Sequence, residues 1–343
     1  MDTESEAEET AVEKEAYLKT SARYHPFIKG INDRVNTPCI PTGFPRFDNY
    51  LGGGLYEGLY VIVAVSSMGK TSLVLQITDQ IAEQGQDIIY FSLEMARYEL
   101  MAKSISRLTF EACIDKRLAN TTRGITDIKR YETYSPEVKD LIVLAESKYN
   151  KFADKIYIHE GIGELGLNEV RASIDKHILL TGKVPIVVID YLQLLNPYNL
   201  MASDKQNSIK AVMELKRISR DSKTLIIVIS SLTSMSCIDP VTMEAFKETE
   251  AIEYSADVLL GMQLKGIADK KKNTDFDMYK AIEKTPREIE IKILKNRNGK
   301  TGGKIDFKYY QLYNCFVEEK EEVIPVLQEK TFINHQKNPW SFK

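Results

Sequence analysis

Three short stretches carry residues whose types and spacing could do phosphate chemistry. The first, VIVAVSSMGKTSLVL at 61–75, is a β-branched apolar run that passes into Gly69-Lys70-Thr71. A loop between a buried strand and a helix N-terminus points several backbone N–H groups at one oxyanion, and the helix dipole adds to the attraction. In such a loop a lysine reaches the β- and γ-phosphates of a nucleotide, and the next hydroxyl binds Mg2+. Lys70 and Thr71 hold those places, Gly69 permits a close backbone approach, and Ser66, Ser67, Met68 and Ser72 complete the loop. The general pattern G-x-x-x-x-G-K-[ST] is broken at its first position, where Ala64 stands. A lone Gly-Lys-Thr also arises by chance, so the loop needs partners.

The other two stretches supply them. VVID ends an apolar run at Asp190, where an acid can hold Mg2+ through water. FSLEM places Glu94 at the C-terminal end of the strand that follows the loop, where a carboxylate can orient an attacking water. In open α/β sheets ligands collect at the carboxyl ends of strands. Asp190 alone could be a helix cap and Glu94 alone a surface acid. All three groups on one edge point to a nucleotide-phosphate site with Mg2+.

Those residues require a particular scaffold. LYVIVAV (59–65) reads as a strand buried on both faces, followed by a helix from Lys70 to Gln84 that Gly85 stops. DIIYFSL (87–93) is a second strand and 95–110 a helix. Ser135-Pro136-Glu137 opens another helix through about Tyr149. KIYIHEG, PIVVIDYLQLL (185–195), TLIIVISSL (224–232) and SADVLLGMQ (255–263) read as strands, with helices over 167–182 and 208–222 between them. Two alternating segments, 288–296 and 303–310, flank an Asn-Gly step and read as a hairpin. Strands alternating with helices predict an α/β fold: a mostly parallel sheet with helices on both faces and a C-terminal antiparallel hairpin at its edge. The expected division is an acidic segment or linker helix at 1–35, an ATPase domain at 36–320 and a tail at 321–343.

Bulk properties narrow the setting. The chain has 343 residues, a net charge of −3, 43% hydrophobic and 28% charged residues, an ordinary balance for a globular protein. No apolar run approaches the ~20 residues a membrane span needs. The acidic start, MDTESEAEETAVEKE, is neither a secretory signal nor a transit peptide. Four scattered cysteines, without a C-x-x-C, read as reduced thiols with no metal site. A cytoplasmic protein without a membrane partner is the expectation. The charge shows no broad basic face of the kind that coats DNA, yet a ring threading one strand needs cations only on the loops lining its hole.

TGFPRFDNYLGGGLYEGLYVIVAVSSMGKTSLVLQI, FSLEM, IDYLQLL, KETEAIEYSADV and KNRNGKTG follow one another in the order and rough spacing of a known family. Over roughly Pro41 to Val317 the chain resembles the RecA-like C-terminal ATPase domain of DnaB-type replicative helicases, in which the phosphate loop itself begins with alanine. The resemblance implies a homo-hexameric ring that hydrolyses ATP at subunit interfaces and draws single-stranded DNA through its centre. It implies that Lys70 and Thr71 bind phosphate and Mg2+, that Glu94 is the catalytic base, and that Asp190 holds the metal. Lys295 and Arg297 match the Lys-x-Arg finger that reaches the γ-phosphate bound by the next subunit, and Lys103 matches a second cation near the phosphates.

Two segments depart from the pattern. The family's glutamine that senses the γ-phosphate is Ser231 here, within SSLTS, and the arginine that follows it in the family's motif is absent. The R-E-S-G that lies against DNA phosphates is Lys247-Glu248-Thr249-Glu250, so Glu250 puts an anion where a phosphate should pass. An ATP-driven helicase on single-stranded DNA is the leading reading. The alternative is a DnaB-like ATPase acting as a nucleotide-switched assembly or loading factor. A RecA-type recombination ATPase comes last, because FSLEM and KNRNGKTG point away from it. The resemblance also implies a possible primase or loader as partner, in a larger primase-helicase or in a stand-alone relative from a phage, plasmid or other mobile element.

Overall fold

The computed structural model describes residues 39–161, 165–197, 199, 201–231, 240–243, 250–267 and 277–319. Nine strands form one sheet: β1 (Gly58–Ala64), β2 (Ile88–Ser92), β3 (Ile156–Glu160), β4 (Ile186–Asp190), β5 (Leu225–Ser231), β6 (Val258–Leu264), β7 (Arg287–Asn296), β8 (Lys304–Tyr310) and β9 (Cys315–Glu318). Their order is β3-β2-β4-β5-β1-β6-β7-β8-β9. The pairs from β3 to β6 are parallel. The last three pairs are antiparallel. The α/β expectation holds, with one addition. The antiparallel edge has three strands, because β9 returns beside β8 after a left-handed residue, Asn314 (φ 53°).

The helices are α1 (Pro45–Tyr50), α2 (Lys70–Glu83), α3 (Arg97–Ala112), α4 (Thr122–Thr126), α5 (Ile128–Glu132), α6 (Pro136–Asn150), α7 (Leu167–Thr181), α8 (Asp204–Asp221), α9 (Glu250–Ser255) and α10 (Met278–Glu283). Alternate residues of each central strand enter two separate cores. Tyr60, Ile62 and Ala64 pack with Leu73, Ile77 and Ile81 of α2 and with the C-terminal strands. Leu59, Val61 and Val63 pack with Val170 and Ile174 of α7 and Leu215 and Ile218 of α8. Apolar side chains on both faces explain why these strands read as continuous hydrophobic runs. A buried ion pair, Arg107 Nη2 to Asp79 Oδ2 at 2.9 Å, ties α3 to α2.

One long strand needs correction. The run 185–195 is not a single strand: β4 stops at Asp190, and Leu192–Leu194 form a 3-10 turn. An apolar run cannot by itself show where the hydrogen-bond ladder ends, because a buried turn selects the same residues. Among the described residues, no helix is long and apolar enough to cross a membrane.

Candidate functional site

The phosphate loop begins where β1 ends. Ser67 (φ 66°) and Gly69 (φ 93°) take left-handed conformations, which bend the chain so that α2 starts at Lys70. Gly69 caps α2 with no side-chain bond, so the helix's first amides face outward as donors. The Lys70 ammonium is buried within the loop and donates to the carbonyls of Ala64 (2.9 Å) and Val65 (3.0 Å). Ser66 and Ser67 are exposed, while Met68 sends its side chain into the core and offers only backbone.

The loop rests on the antiparallel strands. Arg287 of β7 donates from Nη1 to the Ser67 carbonyl at 2.6 Å. The rings of Tyr309 and Phe316 stack 4.2 Å apart beneath Gly69, where an added Cβ would lie 2.7 Å from the Tyr309 ring. The Tyr309 hydroxyl donates to Ser72 Oγ (3.1 Å), and Ser72 also bonds Asn314 Oδ1 (3.3 Å). Ser72 is thus buried against the C-terminal strands, with its hydroxyl turned to them.

Asp190 ends β4 beside Ser92 of β2, in register, and is almost fully buried. Tyr90 donates to its Oδ2 at 3.0 Å. Burial pushes the Asp190 carboxyl up from the ordinary range; the Thr71 and Tyr90 hydroxyls and the Lys70 charge oppose that shift, and Glu94 adds to it. Thr71 is close enough to act on the carboxyl, yet Asp190 Oδ1 is buried and has no hydrogen-bond partner among the described residues. A buried carboxylate oxygen costs free energy unless something pairs with it. An ion held through water beside Thr71 fits that need. Among the described residues, no group of three His, Cys, Asp or Glu is placed to hold a metal ion.

Glu94 lies two residues beyond β2 and is exposed. Its turn is fixed by Leu93 N–H donating to the Asp190 carbonyl (2.9 Å) and by Ser92 Oγ donating to the Met95 carbonyl (2.5 Å). Lys103 comes to the same edge from α3. Burial lowers its pKa, while Glu99, Asp190 and Glu94 raise it. Its ammonium donates to Asn314 Oδ1 at 3.2 Å, and Asn314 Nδ2 donates to Thr122 Oγ1 at 2.8 Å. Ser231 ends β5 directly beside Ala64. Its backbone is bracketed by the Gln193 amide: Ser231 N–H donates to Oε1 (3.4 Å), and Nε2 donates to the Ser231 carbonyl (3.3 Å) and Ser230 Oγ (2.8 Å).

Lys70, Thr71, Glu94, Lys103, Asp190 and Ser231 therefore share one edge of the sheet. Lys295 and Arg297 do not. They sit at the far end of β7, where Asn296 pairs with Val258 at the start of β6. That is beside the beginning of β1, a strand of seven residues. At about 3.3 Å per residue the pair lies on the order of 20 Å from the loop of its own chain. Lys247 and Glu248 lie outside the described residues, and Glu250 begins α9. Sequence reasoning misses Gln193, Tyr90, Tyr309 and Asn314. A tyrosine inside the apolar run 87–93 is the one local signal among them; the rest gain meaning only from partners far along the chain.

Comparisons with known proteins bear on the family and the fold. The DnaB-like helicase C terminal domain family matches residues 39–318. The replicative DNA helicase DnaB of Helicobacter pylori is 27% identical over 290 residues, which cover 77% of this chain and 56% of that protein. The replicative DNA helicase DnaC of Bacillus subtilis is 25% identical over 328 residues, covering 91% of this chain and 66% of that protein. The chain thus spans between about half and two thirds of the length of these relatives. Among solved structures, an isolated ATPase domain superimposes with a TM-score of 0.71 at 20% identity, over 88% of this chain and 98% of that one. A DnaB-like replicative helicase, described together with its interactions with primase, gives 0.69 at 21%, over 84% and 65%. Both structural likenesses bear on the fold alone.

Proposed function

The chain belongs to the DnaB-like helicase C-terminal domain family, and from that premise we propose that it is an ATP-driven motor on single-stranded DNA that hydrolyses ATP between subunits of a homo-hexameric ring. The observation that carries the reading is the split of the site across the sheet. The loop, Asp190 and Glu94 lie at one edge, and the two candidate finger cations lie at the other. A cation that cannot reach its own nucleotide can reach a neighbour's if subunits pack head to tail.

In this reading the α2 amides and Lys70 bind the β- and γ-phosphates, with Ser66, Ser67 and Met68 lending backbone. Thr71 and Asp190 hold Mg2+, which supplies charge neutralisation across the phosphates. Glu94 orients the attacking water and takes its proton; its exposure leaves room for that water. Lys103 adds a second cation at the same edge. Arg297 and Lys295 of the adjacent subunit meet the charge that develops on the γ-phosphoryl oxygens, an effect worth ~10³–10⁵ in rate for fingers acting in trans. Lys247, Glu248 and Glu250 belong to the DNA-facing segment. A primase or loader as partner, a cytoplasmic setting and the division at residues 35 and 320 form part of the same proposal.

A second reading, a nucleotide-switched assembly or loading factor, is favoured by one feature. Ser231 is too short to reach a γ-phosphate, and its backbone is held by Gln193. The two readings part in an ATPase assay with and without single-stranded DNA, run on the wild type, Lys70→Ala and Glu250→Gly. The motor reading expects stimulation by DNA, loss of hydrolysis in Lys70→Ala and stronger stimulation in Glu250→Gly. A wild-type rate that stays flat on adding DNA overturns the motor in favour of the switch.

A further inference from the structure

We propose that Asp257 is a positioning residue for the finger, holding Arg297 and Lys295 in the pose from which they serve a neighbouring subunit's nucleotide; this rests on the finger reading above. A hydrogen-bond network at the edge opposite the phosphate loop carries the proposal. Arg297 Nη1 donates to Asp257 Oδ1 at 3.3 Å, and Arg297 Nη2 donates to the Tyr254 carbonyl at 3.2 Å. The Arg297 backbone N–H donates to the Asp257 carbonyl at 2.8 Å. Main chain and guanidinium of one residue are therefore held by a single partner. Lys295 Nζ donates to the carbonyls of Glu253 and Tyr254, so both cations rest on the last turn of α9.

Asp257 is itself fixed. It is nearly buried, and its Oδ2 accepts from the Leu59 N–H (2.8 Å) and from Lys216 Nζ of α8 (2.6 Å). Gly58 makes space for it, since a Cβ there would lie 2.8 Å from Oδ2. Oδ2 thus joins β1, β6 and α8, while Oδ1 is directed at the finger. A bulge in β7 opposite Leu259 and Leu260 lies just before Lys295 and sets how the end of the strand is aimed. A long, half-exposed arginine loses substantial rotamer entropy when it must take one pose. A guanidinium tied at two nitrogens and at its backbone has that order before the neighbour's phosphate arrives, which is the benefit of preorganisation.

The test uses the full chain and separates this role from a structural one. Asp257→Asn should lower kcat for ATP hydrolysis by on the order of 10–100-fold, as misplacing a reacting group by about 1 Å does, with KM for ATP little changed. Combined with Arg297→Ala, it should add no further loss. Mixing Asp257→Asn with Lys70→Ala subunits, which lack a working loop but carry an intact finger, should restore hydrolysis at the mixed interfaces. The same mixing should rescue Arg297→Ala. Full activity of Asp257→Asn, additive losses in the double variant, or rescue of Arg297→Ala but not of Asp257→Asn would overturn the proposal. An Arg297→Ala variant as active as wild type would instead sink the finger reading and the positioning role with it. If Asp257→Asn does not fold, Lys216→Met removes a buttress of the same carboxylate: a smaller kcat loss, also rescued by mixing, is expected, and an unrescued loss overturns the proposal.

Discussion

Asp190 meets two opposed demands. Burial disfavours its charge, yet a metal-holding acid must be charged. Its folded-state pKa lies above that of the unfolded chain, so its contribution to stability is largest at low pH and is lost as pH rises through the raised value. At neutral pH the ionised carboxylate is therefore a cost to the fold that an ion bound there, as proposed above, would relieve. Asp190→Asn keeps an oxygen for Tyr90 and removes that cost. Its melting temperature near pH 7.5 should equal or exceed that of the wild type, while Mg2+-dependent hydrolysis falls by about 10–100-fold, as for other groups that hold a metal through water. A lower melting temperature in that variant would show that the charge is needed by the fold. At this scale the sequence is most legible where the chemistry is local. Gly69, Lys70 and Thr71 are consecutive, and Glu94 and Asp190 each end an apolar run. Asn314 is not legible, because its partners Ser72 and Lys103 stand 242 and 211 residues away.

Between elements, the phosphate loop depends on the antiparallel strands of the sheet. Gly69 has φ 93° and the Tyr309 ring directly against it. Gly69→Ala forces a side chain into that contact and into a backbone region that costs on the order of 1–3 kcal/mol for a residue with a Cβ. The loop should shift, nucleotide affinity should fall at least about tenfold for each 1.4 kcal/mol it loses, and the melting temperature should drop by several degrees. Tyr309→Leu in the same chain should recover part of the stability by removing the clash, while the strain at φ 93° persists. A fluorescent nucleotide titration alongside thermal melting reads both effects. Wild-type affinity in Gly69→Ala would show that the loop does not lean on β8. The alternating strands and helices are visible in the sequence through their apolar periodicity. The four-residue β9 and the end of β4 at Asp190 are not, since short segments carry too few residues for a period and buried turns share the composition of buried strands.

For the whole molecule, the separation of the loop from the Lys295–Arg297 pair would, on the proposed finger reading, make hydrolysis a property of an assembly. Specific activity should therefore fall as the protein is diluted through its assembly range, by mass action, and return on concentration. Light scattering on the same samples should show activity tracking oligomer rather than total chain. A rate per chain that stays constant after the protein has dissociated would show that single subunits hydrolyse ATP unaided. High salt should weaken DNA stimulation more than basal hydrolysis, because phosphate contacts release counterions whereas Lys70 is buried within its loop.

The sequence by itself determined the α/β class and the family the chain resembles, and it singled out the Gly69-Lys70-Thr71 loop and the acids Glu94 and Asp190 as candidates. These are written in contiguous motifs and in the apolar periods of single elements. Tertiary structure alone decided which strands are neighbours, and with that which residues meet. Ser231 lies beside Ala64 only because β5 inserts between β4 and β1. Asn314 joins Ser72 to Lys103 only because β9 returns along β8 beneath α2. Asp257 faces Arg297 only because β7 runs back along β6 to the edge where β1 begins. Strand order depends on the summed burial of every face at once, and no local pattern along the chain encodes that sum.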